Sequence, residues 1–155
     1  MDTGASPAPL LQPTSVLFSC THNSIRSPMA EVIAKSLFGQ KIFVDSAGVR
    51  ATEIDGFTVE VLDEIGLDAS DHLSKNFDEL TDTSFDLIIA LSPEARAKAE
   101  EITRTTACEV EYWLTLDPSI AEGNREMRLN AYRQVRDDLY QHIKSRFATN
   151  PAPLV

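Results

Sequence analysis

The stretch SVLFSCTHNSIRSPMAE, Ser15 to Glu31, joins an apolar run to a lone cysteine, a knot of small polar residues, one arginine and a Ser-Pro pair. It poses a choice. Cys20 is either a core thiol that closes a strand or a nucleophile held in an anion-binding loop. Residues 15–20 (SVLFSC) are short, apolar and β-rich, as a buried strand requires. Met29, Val32, Ile33 and Leu37 follow with the spacing of one helix face that ends near Gly39. The stretch therefore reads as strand, loop and helix, with the helix opening near Ser27 and Pro28.

The same alternation continues along the chain. Strand-like runs recur at residues 42–48 (IFVDSAG), 85–91 (FDLIIAL) and 109–114 (EVEYWL). Between them Phe57, Val61, Leu62 and Ile65 mark a second helix face before Gly66. The segment SPEARAKAEEI starts a third helix with Ser92 as N-cap and Pro93 as its first residue. Met127, Ala131, Val135, Leu139, Ile143 and Phe147, reinforced by Tyr132 and Tyr140, outline a long last helix. Strands alternating with helices give right-handed βαβ units, hence an α/β fold in three layers: a four-stranded parallel sheet with helices on both faces. In such sheets ligands bind beyond the carboxyl ends of the strands, which is where Cys20 sits.

As chemistry, residues 20–27 are Cys-x5-Arg-Ser between a strand and a helix. Five intervening residues suffice to wrap the backbone into a cup whose N–H groups point inward and bind an oxyanion. The helix N-terminus adds its positive end to the cup, and Arg26 can pair with two anion oxygens. Positive potential converging on the sulfur favours the thiolate, the nucleophilic form. With 9 arginines in 155 residues, any cysteine has roughly a 6% chance of an arginine six positions on, so the spacing alone decides little. The strand before, the Ser-Pro helix start after, and the polar Thr21, Asn23 and Ser24 between carry the reading.

The totals bound the rest. A chain of 155 residues is the size of one domain, and 43% apolar with 25% charged residues is ordinary for a globular protein. No apolar run approaches the roughly 18 residues of a membrane span. The first thirteen residues, with three prolines and no basic or long apolar region, read as an irregular arm rather than a secretory signal; NPAPLV ends the chain as an irregular tail, giving the boundaries 1–13, 14–147 and 148–155. The two cysteines, Cys20 and Cys108, fit a reduced cytoplasmic setting without disulfides. A net charge of −10 argues against nucleic acid and anionic membranes as partners, though not against a small phosphate held by local donors. His22, His72 and His142 form no ligand spacing, so neither metal nor other cofactor is expected. Trp113 and Tyr112 read as core aromatics. Asp117, before Pro118, reads by itself as a turn starter.

The residues 16–31, VLFSCTHNSIRSPMAE, resemble the signature of the low-molecular-weight protein tyrosine phosphatases and the related thioredoxin-coupled arsenate reductases. DSAG (45–48), GLDASDHLSK (66–75), FDLIIALS (85–92), Asp117-Pro118 and VRDDLYQHI (135–143) resemble that family's later landmarks in order, so the likeness spans about residues 14–147. It implies a flavodoxin-like sheet, a cysteinyl-phosphate intermediate, and a phosphorylated protein or small phosphomonoester as partner. By this resemblance Cys20 is the nucleophile, Arg26 the phosphate clamp and Asp117 the general acid. Thr21, His22, Asn23, Ser24, Ile25, Arg26 and Ser27 form the phosphate loop; Asn23, Ser46 and His72 support it.

The sequence departs from the pattern in places. His22 replaces a glycine, at a position that can require positive φ. Ile25 replaces a second cysteine, and Ser119 and Ile120 follow Asp-Pro where tyrosine-specific members place tyrosines. Ser92 stands near the first of two further cysteines that relay electrons in the reductases. Three readings follow: a phosphomonoester hydrolase of the tyrosine phosphatase type, an arsenate reductase regenerated by an external thiol, and a phosphate-binding regulatory protein that has lost turnover.

Overall fold

A computed structural model describes residues 12–81 and 84–148 of the chain. The expected arm and tail lie for most of their length outside these residues. Eight main elements alternate: β1 (Ser15–Cys20), α1 (Arg26–Phe38), β2 (Phe43–Gly48), α2 (Gly56–Asp63), β3 (Leu87–Ala90), α3 (Pro93–Ile102), β4 (Glu109–Tyr112) and α4 (Arg125–Phe147). All strand pairs are parallel, and the order is β2-β1-β3-β4. The chain leaves β1 toward β2 on one side and returns as β3 on the other, so the switch of direction lies at the carboxyl ends of β1 and β3.

The sheet is buried on both faces, which is why its strands read as nearly continuous apolar runs. Val16, Phe18 and Cys20 pack with Met29 and Ile33 of α1 and with Tyr132, Leu139, Ile143 and Phe147 of α4. Leu17 faces the other way, with Ile88, Phe77, Phe85 and Ala99 of α3. Ser92 caps α3, its Oγ accepting from the Ala95 N–H at 3.2 Å, and Pro93 follows as expected. Trp113 is core, stacked on the His142 ring at 3.6 Å between centroids.

Two expectations about helix faces need correction. Met127 is 56% exposed and Ala131 only partly buried; the buried face of α4 runs instead through Leu129, Tyr132, Val135, Arg136, Leu139, Ile143 and Phe147. A run of steps of four drifts by about 40° each time on a helix of 3.6 residues per turn, so its two ends cannot share a face. Ile65 lies beyond the end of α2 and is exposed, because the chain turns away through Gly66 at φ +81°.

Candidate active site

The loop between β1 and α1 is shaped from outside. The carbonyls of Cys20, Thr21, His22 and Ser24 accept the N–H groups of Val49, Arg50, Thr52 and Asp55, at 2.8–3.1 Å. With its carbonyls turned outward to this neighbouring segment, the loop is left to point N–H groups inward. Those of Asn23 and Ser27 reach the Cys20 Sγ at 3.3 and 3.4 Å. Gly48 permits the close approach, since a Cβ there would lie 2.7 Å from the Asn23 nitrogen. Helix α1 starts at Arg26, a residue earlier than the Ser-Pro signal suggests, and its N-cap Ile25 makes no side-chain cap. Ser27 is therefore inside the first turn and free to serve the sulfur.

Asn23 organises the interior. It, and not His22, holds the positive φ of the loop, at 52°. This corrects the expectation of a positive φ at His22; asparagine tolerates the left-handed region best among residues with a Cβ. Its Nδ2 donates to Ser27 Oγ at 2.8 Å and to Ser46 Oγ at 2.9 Å. Its Oδ1 accepts from the Lys75 N–H at 3.0 Å and lies 3.1 Å from His72 Nε2. Since that oxygen only accepts, the neutral His72 carries its proton on Nε2. The Ser27 Oγ that Asn23 holds in this way lies 2.9 Å from the Cys20 Sγ, within hydrogen-bond reach of the sulfur.

Behind this chain sits a buried carboxylate, Glu31, to which the sequence alone assigned no role. Glu31 Oε1 accepts from Ser46 Oγ and lies 3.6 Å from His72 Nδ1, while Oε2 pairs with Lys35. Its signal was available: Glu31 stands one turn after Ser27 on the same helix face. Burial pushes the His72 imidazole below its ordinary range, against the pull of Glu31. Lys75 and Lys35 push the same way as burial.

Cys20, His22, Ser24, Ile25 and Arg26 form one wall of an open cleft of about 240 Å³; Thr52, Asp55, Asp117 and Ser119 complete it. Thr21 is turned away, its hydroxyl donating to Ser92 Oγ at 3.0 Å, so it can meet an anion only through its backbone. Arg26 Nη1 donates to the Thr115 carbonyl at 3.0 Å, tying the loop to the segment that carries Asp117. The Asp117 carboxylate accepts from Ser119 N–H and Oγ at 2.9 and 2.7 Å. Asp55, unremarked in the sequence, is fixed by the Phe57 N–H and the Tyr132 hydroxyl.

Residues 15–148 match the family model described as low molecular weight phosphotyrosine protein phosphatase. The chain belongs to that family. An arsenate reductase of Bacillus licheniformis is 35% identical over 86% of this chain and 94% of its own length. The solved structure of a YwlE mutant from Bacillus subtilis superposes with a TM-score of 0.70 at 27% identity, covering 84% of this chain and 94% of the other. A mutant of the YwlE arginine phosphatase with a phosphorylated active-site serine gives 0.68 at 25%, over 84% and 91%. Solved structures of a phosphatase and of an arsenate reductase thus share this fold.

The second thiol of the chain, Cys108, stands far from the first. Cys108 precedes Glu109, which is in register with Leu87 and, through it, with Val16. Cys20 lies at the other end of β1, so the two Cα atoms stand roughly 19 Å apart by strand geometry, against a limit of about 7 Å for a disulfide. Burial and the carboxylates of Asp86 and Glu109 push the Cys108 thiol up to about 11. Ser92 serves as cap and as anchor for Thr21.

Proposed function

We propose that the protein is a phosphomonoester hydrolase of the tyrosine phosphatase type, working through a cysteinyl-phosphate on Cys20. The observation that carries this reading is the sulfur held by Ser27 Oγ and two N–H groups in the same cleft as Arg26 and Asp117. The phosphorylated serine captured in the YwlE mutant supports a covalent intermediate at this position.

In the first step the Cys20 sulfur attacks phosphorus, the P–O ester bond breaks, and Asp117 gives its proton to the departing oxygen. Loop N–H groups and Arg26 hold the equatorial oxygens, where fixed donors act most strongly on developing charge. Arg26 exchanges its Thr115 contact for the phosphate, or shares it. In the second step water attacks phosphorus, Asp117 takes the proton, and the S–P bond breaks to release phosphate and the thiolate. Ser27 stabilises the sulfur as it leaves.

An aryl phosphate assay with Cys20→Ser tests the reading. Wild type is expected to turn over and the variant to lose at least 10³-fold, as removal of an enzyme nucleophile does. A wild type without turnover, or an active variant, overturns it.

Arsenate reduction is the second reading, favoured by the name of the 35% identical relative and by a cleft with no aromatic side chain among its lining residues. Arsenic(V) bound to Cys20 needs two electrons to become arsenite, and Cys108 is too far away to supply one. Two external thiols would have to be oxidised to their disulfide. Thiol-dependent arsenite production without phosphatase turnover would establish this reading in place of the first. Anion binding without either reaction would leave a regulatory phosphate binder.

A further inference from the structure

The segment that carries Asp117 is held to the rest of the site by few bonds. The Trp113 and Thr115 N–H groups extend the parallel ladder onto the Ala90 and Leu91 carbonyls, at 2.8 and 3.3 Å, and there the ladder stops. Among the described residues, 116–122 then hydrogen-bond only to one another. Ser119 donates to the Asp117 carboxylate, the Ile120 N–H to the Asp117 carbonyl and the Ala121 N–H to the Pro118 carbonyl. Apolar burial fixes the segment at Pro118 but not at Leu116 or Ile120, which are exposed.

A tie comes from the phosphate loop. Arg26 Nη1 donates to the Thr115 carbonyl at 3.0 Å, across 89 residues of sequence. Among the described residues no other hydrogen bond joins residues 20–27 to residues 113–122. Thr115 is two residues before Asp117, so the two Cα atoms are at most about 7 Å apart. A guanidinium carries five N–H donors in one plane. Nη1 can therefore stay on Thr115 while Nε and Nη2 face two oxygens of a bound phosphate.

Resting on the phosphatase reading, we infer that Arg26 is a positioning residue for the acid as well as the phosphate clamp: its bond to the Thr115 carbonyl holds the segment that sets Asp117 against the departing oxygen. One side chain thus grips the phosphoryl group and the backbone of the acid together, and aligns each with the other. Lysine cannot do both. Its ammonium is a point charge on a flexible stem, without the planar fork that serves two acceptors in fixed directions.

The tie is tested with two aryl phosphates, one with a good and one with a poor leaving group, measured as kcat/KM. Wild type, Arg26→Lys, Asp117→Asn and the double variant form a cycle. Loss of the clamp lowers both substrates, whereas loss of the tie adds a penalty for the poor leaving group, which needs the acid's proton. Arg26→Lys is expected to lose about tenfold more on the poor leaving group than on the good one, within the range of about 10²–10⁴ that a general acid contributes. In the Asp117→Asn background the excess should vanish, with both substrates losing the same to within about twofold. Equal losses in the single variant, or an excess that persists without the Asp117 carboxyl, overturn the inference. Hydrogen exchange reads the tie without catalysis. In Arg26→Lys, peptides covering residues 114–121 are expected to exchange about fivefold faster or more, with α4 unchanged. Unchanged exchange overturns the inference whatever the turnover, and so does an equal acceleration in α4, which would be a general loosening. Absence of aryl phosphate turnover by wild type counts instead against the phosphatase reading.

Discussion

Asp117 holds its carboxylate on Ser119 through two hydrogen bonds while facing the cleft that Cys20 lines. Alone in the sequence it was a turn starter before proline, and it is that as well, with its side chain capping the Pro118–Ile120 turn. The acid role proposed for it rests on family resemblance and its place in the cleft, because nothing in its sequence neighbours announces Cys20 across the fold. If it protonates the leaving oxygen, Asp117→Asn slows poor leaving groups by about 10²-fold or more and good ones little, the range general acids contribute. A leaving-group series of aryl phosphates measures this, and equal losses along the series remove Asp117 from the role. His72 gives a second prediction. Its imidazole is held below the ordinary range by burial, so the unfolded chain takes up a proton near pH 6.5 before the folded protein does. Stability present above that pH is lost as pH falls from about 6.5 toward the folded value. Thermal melts should show Tm falling from pH 7 to 5.5, with a shallower fall in His72→Gln. His142, lowered by burial beside Trp113, adds a slope of the same sign, and the double substitution should flatten the curve further. A slope unchanged in both variants would assign the effect elsewhere.

At the level of elements, the strands and the Ser92-Pro93 start were readable because each is decided locally, by an apolar run or a cap. The loop was readable in outline. Its detail was not: the segment from Gly48 to Asp55 supplies the N–H groups that turn the loop carbonyls outward, and that pairing spans about thirty residues with no periodic signal. Glu31 was missed for a related reason, since its partners Ser46 and His72 come from two other elements. The packing at Gly48 makes the coupling testable. A methyl group there meets the Asn23 nitrogen, the His22 carbonyl carbon and the Arg50 oxygen, all backbone atoms that cannot swing aside. Gly48→Ala is expected to cost about 2 kcal/mol of stability by overpacking, and to weaken phosphate binding at least tenfold by displacing the loop. Denaturant unfolding and phosphate calorimetry read the two effects. A variant that binds phosphate like wild type would show that the segment does not position the loop.

Over the whole molecule, the parallel sheet sorts its two thiols to opposite ends, Cys20 at the carboxyl edge of β1 and Cys108 before the amino edge of β4. The alternation of strands and helices made this placement legible from the sequence, because all-parallel topology fixes which end of every strand faces the crevice. What it could not give was the environment of Cys108, half-buried near Asp86 and Glu109, where the thiol is held protonated and so is a poor nucleophile. The fold thus gives an oxidised Cys20 no internal rescuer: Ile25 occupies the loop position a second thiol would need, and Cys108 lies at the far end of the sheet. Hydrogen peroxide should convert the Cys20 thiolate to the sulfenate with release of water. Two equivalents of an added thiol should then return it, the first forming a mixed disulfide and the second leaving as part of the thiol disulfide. Without added thiol, activity should not recover, and continued peroxide should carry Cys20 to the sulfinic acid, which added thiol does not reverse. Mass spectrometry of the oxidised protein should find glutathione on Cys20 when glutathione is present. A Cys20–Cys108 disulfide, or recovery of activity after peroxide removal with no thiol added, would mean that the chain can bring its two sulfurs together, contrary to the rigid sheet that separates them.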